Sequence, residues 1–375
     1  MKQDWEYTTF ADIMKPAKSE RCGNRTDLPV LSITMHQGIV FQSERFKKVI
    51  ASKDTKDYKI IKDGQLVIAF PIDEGLIYTQ DVAKEGIMSP AYIVWDVDYS
   101  KLNRKFLNIY FHCDWTMKYY KSKLRGTTLR RRMIPKEDLL ALPIPVPPLP
   151  EQEKIVSELD CLSDIIEKKR QQLKELDALA QSIFYEMFGN PVENERGWDT
   201  YVLKDVSTLL NGRAYKQNEL LSEGKYKVLR VGNFFTNGSY YYSDLELDED
   251  KYCDNGDLLF AWSASFGAFI WNGEKVIYHY HIWKVLYDKQ FLDIQYYRFL
   301  LNTMTNYFMK DVHGIGMVHL TKAGMEEYVL PIPPLPLQQS FAQKIESIEK
   351  QKELIKQSIA EVETLFNSRM DYYFN

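Results

Sequence analysis

The sequence predicts a duplicated α/β (α+β) fold: two mixed modules related by pseudo-two-fold symmetry and joined by two long antiparallel coiled-coil helices. Three observations carry this prediction. The proline segment "LPIPVPPLPEQEKIV" (142–156) returns half a chain later as "LPIPPLPLQQSFAQKI" (330–345). Each copy leads into a run whose apolar residues step by four and three. The stretches ahead of both copies hold short β-branched and aromatic runs bounded by Gly, Asp and Asn.

The repeat extends beyond the prolines. "DWEYTTFADI" (4–13) resembles "GWDTYVLKDV" (197–206), "PVLSI" (29–33) resembles "KVLRV" (227–231), and "DGQLVIA" (63–69) resembles "NGDLLFA" (255–261). A period of half the chain indicates duplication of a whole module and not a solenoid. The expected boundaries are 1–142 for the first module, 143–197 for its proline lead-in and helix, 198–330 for the second module, and 331–375 for the second lead-in and helix.

The helical runs follow the seam pattern of a coiled coil. In the first, Ile155, Leu159, Leu162, Ile166, Leu173, Leu176, Ala180, Ile183 and Met187 hold the seam, and Lys169 interrupts it. In the second, Phe341, Ile345, Ile348, Ile355, Ile359, Val362 and Phe366 do so, interrupted by Lys352. The two lysines either fix the register or reach out to solvent. Prolines stop what precedes them and are tolerated at a helix start, so "PPLPEQ" reads as a stiff entry to the helix. "FGNP" (188–191) reads as its exit. A helix of about 35 residues is roughly 50 Å long, which sets the modules at opposite ends of a rod.

Within the modules, strands are expected at "LPVLSITM", "QLVIAF", "AYIVWDV", "KVLRVGNFF", "DLLFAW" and "KVIYHYHIWKVLY", and helices at 102–124 and 291–310.

Several functional classes are excluded or disfavoured. No run nears 18 consecutive apolar residues, and the N-terminus lacks the features of a signal peptide, so the cytoplasm is the expected compartment. The four cysteines are far apart and form no metal or disulfide pattern. Phosphate-binding loops, dinucleotide fingerprints, nucleophile elbows and HExxH pairs are absent. "HYH" (279–281) places two imidazoles on one face of a predicted strand, a pattern that polar alternation explains as well as metal binding. The formal net charge is −4, but residues 1–142 carry 24 Lys and Arg against 18 Asp and Glu. Contact with nucleic acid therefore falls to local basic clusters.

Two modules, each followed by an "LPIPxPPLP" segment and a long amphipathic helix, resemble the specificity (S) subunit of type I restriction–modification systems. The resemblance covers essentially the whole chain. It implies two target recognition domains that each read half of a split double-stranded DNA target, with the helices spacing the halves. It also implies a non-catalytic chain that binds no cofactor. The partners would be methyltransferase subunits, two of them, using S-adenosylmethionine to modify adenine, and restriction/translocase subunits using ATP and Mg. The first module departs by lacking the "NGR" of 211–213, and the second proline segment is one residue shorter than the first.

On this resemblance the DNA-contact candidates in the first module are Lys121, Lys123, Arg125, Arg130, Arg131 and Arg132 of "YYKSKLRGTTLRRR". Arg45, Lys47 and Lys48 of "FQSERFKK", and Gln37 as a base reader, join them. In the second module they are Arg213 and Lys216, Arg230 and Asn233, and His313, His319 and Lys322. The strand "AWSASFG" (261–267) leads to a small-residue loop where a partner backbone can approach. Solvated turns explain each cluster too. The competing reading is an assembly adaptor that binds proteins and no DNA, which suits the net negative charge and the aromatic content.

Overall fold

A computed structural model describes the chain except residues 1–4, 19, 36, 46–53, 126–132, 237, 264 and 310–319. It divides into two compact units, residues 1–169 with 357–375, and residues 170–356.

In the first unit, Glu6–Thr9 pairs antiparallel with Pro143–Val146. Beside this ladder lies a four-stranded antiparallel sheet, ordered Met14–Pro16, Ile93–Val97, Leu66–Ile68, Ile77–Thr79. The second unit repeats both. Thr200–Val202 pairs with Val329–Pro331, and its sheet runs Ser207–Asn211, Ile282–Tyr287, Leu258–Ser263, Ser265–Ile270. "DGQLVIA" and "NGDLLFA" occupy the third place in the two sheets. Both enter it through a glycine at positive φ, Gly64 at 82° and Gly256 at 91°, a backbone that residues with a Cβ resist. Each unit adds a further sheet, Glu20–Arg21 with Lys59–Lys62 and Glu85–Met88 in the first, and Tyr241–Ser243, Tyr226–Leu229, Val276–Tyr278 and Tyr252–Cys253 in the second.

The alternating prolines fit two-stranded ladders because their missing N–H groups all fall on one edge. The single N–H between Pro331 and Pro333, that of Ile332, donates to the Asp199 carbonyl at 2.8 Å. Pro148 and Pro334 then open the long helices. Their carbonyls accept the amides of Glu151 and Gln152, and of Leu337 and Gln338.

Each long helix runs 40 residues, Leu149–Phe188 and Leu335–Phe374, longer than the apolar spacing predicts. Within the second unit they pack antiparallel: Phe188 meets Phe341, whereas Asp177 meets Lys352. Ala180, Phe184 and Phe188 share a core with Phe341, Ile345 and Ile348. Lys352 is held there by Asp177 at 2.7 Å and Glu349 at 3.2 Å. Within the first unit, Ile155 and Leu159 share a core with Tyr373 and Phe374, and Glu158 accepts from Arg369 and Tyr373 at 2.9 and 2.6 Å. Leu162, Leu173, Leu176, Ile183, Ile355, Ile359, Val362 and Phe366 are half-buried, and Ile166 is buried.

Four local expectations change. The helix expected at 102–124 is two helices, Arg104–His112 and Asp114–Lys123, broken at Cys113, whose ψ of 156° is extended. "KVLRVGNFF" leaves its strand at Leu229 and turns helical over Val231–Thr236, because Asn233 accepts the Arg230 N–H at 2.9 Å. "AWSASFG" belongs to a hairpin of two six-residue strands and not to a strand with a loop. "HYH" is a turn between Val276–Tyr278 and Ile282–Tyr287, where the His281 N–H faces His279 Nδ1 at 3.4 Å. Among the described residues, no group of three or more His, Cys, Asp or Glu is placed to hold a metal ion. No described helix is long and apolar enough to cross a membrane.

Candidate nucleic-acid interface

In the first unit the residues flanking the basic run are joined. Arg125 and Met133 exchange two backbone hydrogen bonds of 3.1 Å, an isolated antiparallel bridge. Asp138 lies beside this bridge, 3.2 Å from the Lys123 ammonium and 3.5 Å from the Arg125 guanidinium. Lys123 also lies over the Tyr119 ring. Lys121, on the preceding helix, is exposed. Arg130, Arg131 and Arg132 lie outside the described residues, as do Lys47 and Lys48. Arg45 closes the short helix Gln42–Arg45.

Gln37 sits exposed at the turn of the hairpin Leu31–Thr34/Gly38–Phe41. Thr34 ties that turn, accepting the Gln37 N–H at 2.9 Å and donating to the Gly38 carbonyl at 3.0 Å. Tyr78 props it from below. Its hydroxyl donates to the Met35 carbonyl at 3.0 Å, and its ring lies 3.2 Å from where a Cβ on Gly38 would stand. The other face of Tyr78 stacks on His112 at 4.2 Å. Burial pulls the His112 imidazole below its ordinary value.

The second unit uses its cations differently. Both terminal nitrogens of Arg213 are taken by Glu219, at 2.8 and 2.9 Å, a bidentate fork. This pairing, with the Lys216 N–H at 2.8 Å, holds the Glu219 carboxyl down at about 2. Arg213 is thus a half-buried ion-pair partner of Glu219. Lys216 is exposed. Arg230 is exposed beside the Tyr241 ring, 5.1 Å from its centroid. The Asn233 amide is occupied in the turn, donating to the Gly238 carbonyl at 3.2 Å. Phe235 and Tyr241 are exposed beside it. His313 and His319 lie outside the described residues, and Lys322 pairs loosely with Glu326 at 3.5 Å.

Periodicity does not foresee an aromatic cleft of about 570 Å³, lined by Asn211, Trp262, Tyr280, Trp283 and Lys322 among others. Trp262 and Trp283 stack at 5.4 Å. Part of the signal lies in the sequence. Phe260 and Trp262 share a strand face by alternation, and Trp283 lies opposite Phe260. The pairing itself needs the register.

The family pattern of the type I restriction modification DNA specificity domain matches residues 2–178 and again 195–364. The chain belongs to that family. This specificity chain is similar to the type I restriction enzyme MjaVIII specificity subunit of Methanocaldococcus jannaschii, at 22% identity over 96% of the chain and 90% of the relative. It is 21% identical to the EcoBI specificity subunit of Escherichia coli over 44% of the chain and 35% of the relative. In fold it is similar to a chain from a solved structure on complex assembly and conformational transition of the type I R-M system, with a TM-score of 0.60 at 17% identity, covering 100% of this chain and 98% of that one. The S subunit from M. genitalium follows, with a TM-score of 0.54 at 12% identity and 99% and 96% coverage. The specificity chain thus has the two-domain pattern that its repeat implies, one match falling on each module.

Proposed function

We propose that this specificity chain reads a bipartite double-stranded DNA target, one half-site per module, and directs two adenine methyltransferase subunits and restriction/translocase subunits to it. It works in the cytoplasm and performs no catalysis itself. S-adenosylmethionine, ATP and Mg serve the partner subunits. The observation that carries this reading is one sheet order built twice with different side chains on its loops. A bipartite reader needs one frame in two copies, with separate readout surfaces.

Methylation mapping tests it, in cells expressing the chain with its methyltransferase. One split motif, modified on adenine in both halves and lost when the chain is omitted, is the expected result. An assembled complex without chain-dependent modification favours the adaptor reading. Replacing Arg130, Arg131 and Arg132 by Ala should weaken DNA binding and flatten its salt dependence, the slope falling by about 0.9 for each phosphate no longer neutralised. An unchanged slope removes them from the interface.

A further inference from the structure

The segment that first marks the repeat, Pro-Pro-Leu-Pro-x-Gln, places one fully buried glutamine in each copy, Gln152 and Gln338. Their hydrogen bonds match atom for atom. Gln152 Oε1 accepts the Asn103 N–H at 2.7 Å, and its Nε2 donates to the carbonyls of Lys101 at 2.9 Å and Pro147 at 2.7 Å. Gln338 Oε1 accepts the Asp293 N–H at 2.8 Å, and its Nε2 donates to the carbonyls of Phe291 at 2.8 Å and Pro333 at 2.7 Å.

The partners occupy equivalent places. Asn103 and Asp293 are the N-cap residues of Arg104–His112 and Ile294–Phe308, each accepting two amides of its helix's first turn. Their own N–H groups lie outside the helical ladder. Pro147 and Pro333 end the proline lead-ins. Each glutamine therefore ties three things at one point: the lead-in, the first turn of the long helix, and the loop that starts a module helix. The chemistry demands a side chain with one acceptor and two donors. Glutamate lacks the donors, and asparagine is one methylene short.

A cleft borders each joint, about 360 Å³ beside Lys101 and Leu102 in the first unit and about 260 Å³ beside Phe291, Pro333 and Pro334 in the second. Open space there leaves the loop room to shift once the amide is removed.

We propose that Gln152 and Gln338 are positioning residues for target reading: each locks its module in one pose on its long helix, and so restricts the half-site separation the chain accepts. The consequence for DNA rests on the function proposed above. The lock itself does not.

The experiment uses the full chain with its methyltransferase, as wild type, Gln152→Leu, Gln338→Leu and Gln152→Glu. The first readout is the ratio of methylation rates on the mapped target and on targets with the spacer changed by one base pair. Either leucine variant should lower that ratio at least tenfold. A merely structural role lowers all rates together and leaves the ratio unchanged, which overturns the proposal. The second readout is the distance distribution between spin labels on Cys161, exposed on the first long helix, and on Lys84→Cys, exposed on the first module. Gln152→Leu should broaden it, and Gln152→Glu, which keeps the bond from Asn103 but sets a carboxylate oxygen against the Lys101 and Pro147 carbonyls, should broaden it at least as much. An unbroadened distribution overturns the lock. If Gln152→Leu does not fold, Gln152→Glu carries the same comparison. A wild-type complex without chain-dependent methylation overturns the DNA reading alone, and the distance distribution still decides the lock.

Discussion

The two modules share a frame and differ in the side chains it carries, in the core as well as on the surface. In the core, Ile68 opposite Ile93 in the first sheet becomes Phe260 opposite Trp283 in the second. Phe70, just past the end of one strand, becomes Trp262 within the other. The cations diverge likewise: Lys123 and Arg125 lean on Asp138, whereas Arg213 pairs bidentately with Glu219. What stays the same satisfies backbone groups. The Pro ladders, the positive-φ Gly64 and Gly256, and the paired glutamines all do so. A frame built from backbone partners tolerates changed side chains, so the readout surface diverges without cost to the fold.

The largest expected effect breaks one frame and spares the other. Phe184 is fully buried in the second unit, against Tyr296, Phe299 and Phe341. Phe184→Ala should cost about 3–5 kcal/mol of that unit's stability, read by urea unfolding. A change under ~1 kcal/mol means the helices contribute little to the core there.

Charged seam variants sharpen the contrast between buried and half-buried positions. Ile166 is buried and Ile355 half-buried. Ile166→Asp should therefore destabilise by roughly 2–4 kcal/mol and Ile355→Asp by about half as much, since burial sets the desolvation penalty. Equal effects, or unchanged methyltransferase binding with retained folding, contradict the paired-helix arrangement.

Releasing the paired cations compares the two surfaces directly. Asp138→Asn frees Lys123 and Arg125, and Glu219→Gln frees Arg213. Each should steepen the salt dependence of DNA binding, by a slope of about 0.9 for every phosphate newly reached. Steepening for Asp138→Asn alone assigns the electrostatic share to the first module.

The smallest effect is titration. Desolvation, followed by the neighbouring charges of His281 and Arg230, lowers His279 to about 4. Between that value and the ordinary imidazole range near ~6.5, the unfolded chain binds a proton that the folded chain refuses. Stability should fall as pH drops through this window and be unaffected above it. His279→Gln should flatten the slope of thermal midpoint against pH between about 4 and 6.5. A slope unchanged by that substitution assigns the dependence elsewhere.

Much of the fold is legible because duplication writes the same signal twice. The proline segments, the heptad runs and "DGQLVIA" with "NGDLLFA" mark equivalent elements without any contact being known. The interface is less legible. Arg213 reads as a lone cation in "NGRAYK" because Glu219, its ion-pair partner, stands six residues away across a turn. Phe184 escapes a strict seam count, which favours Ile183.

By itself, the sequence determined the two-module order, the helix entries at the prolines and the apolar seam, since these follow from backbone sterics and hydrophobic periodicity, both local properties. Only the tertiary structure decided which cations keep their charge exposed, which aromatics meet across strands, and what the glutamine of each proline segment is for. Each of those depends on a partner brought in by the fold, from Lys101 meeting Gln152 to Phe291 meeting Gln338. Hydrogen bonds and ion pairs are directional and short-ranged, so they exist only after the packing that brings their partners together.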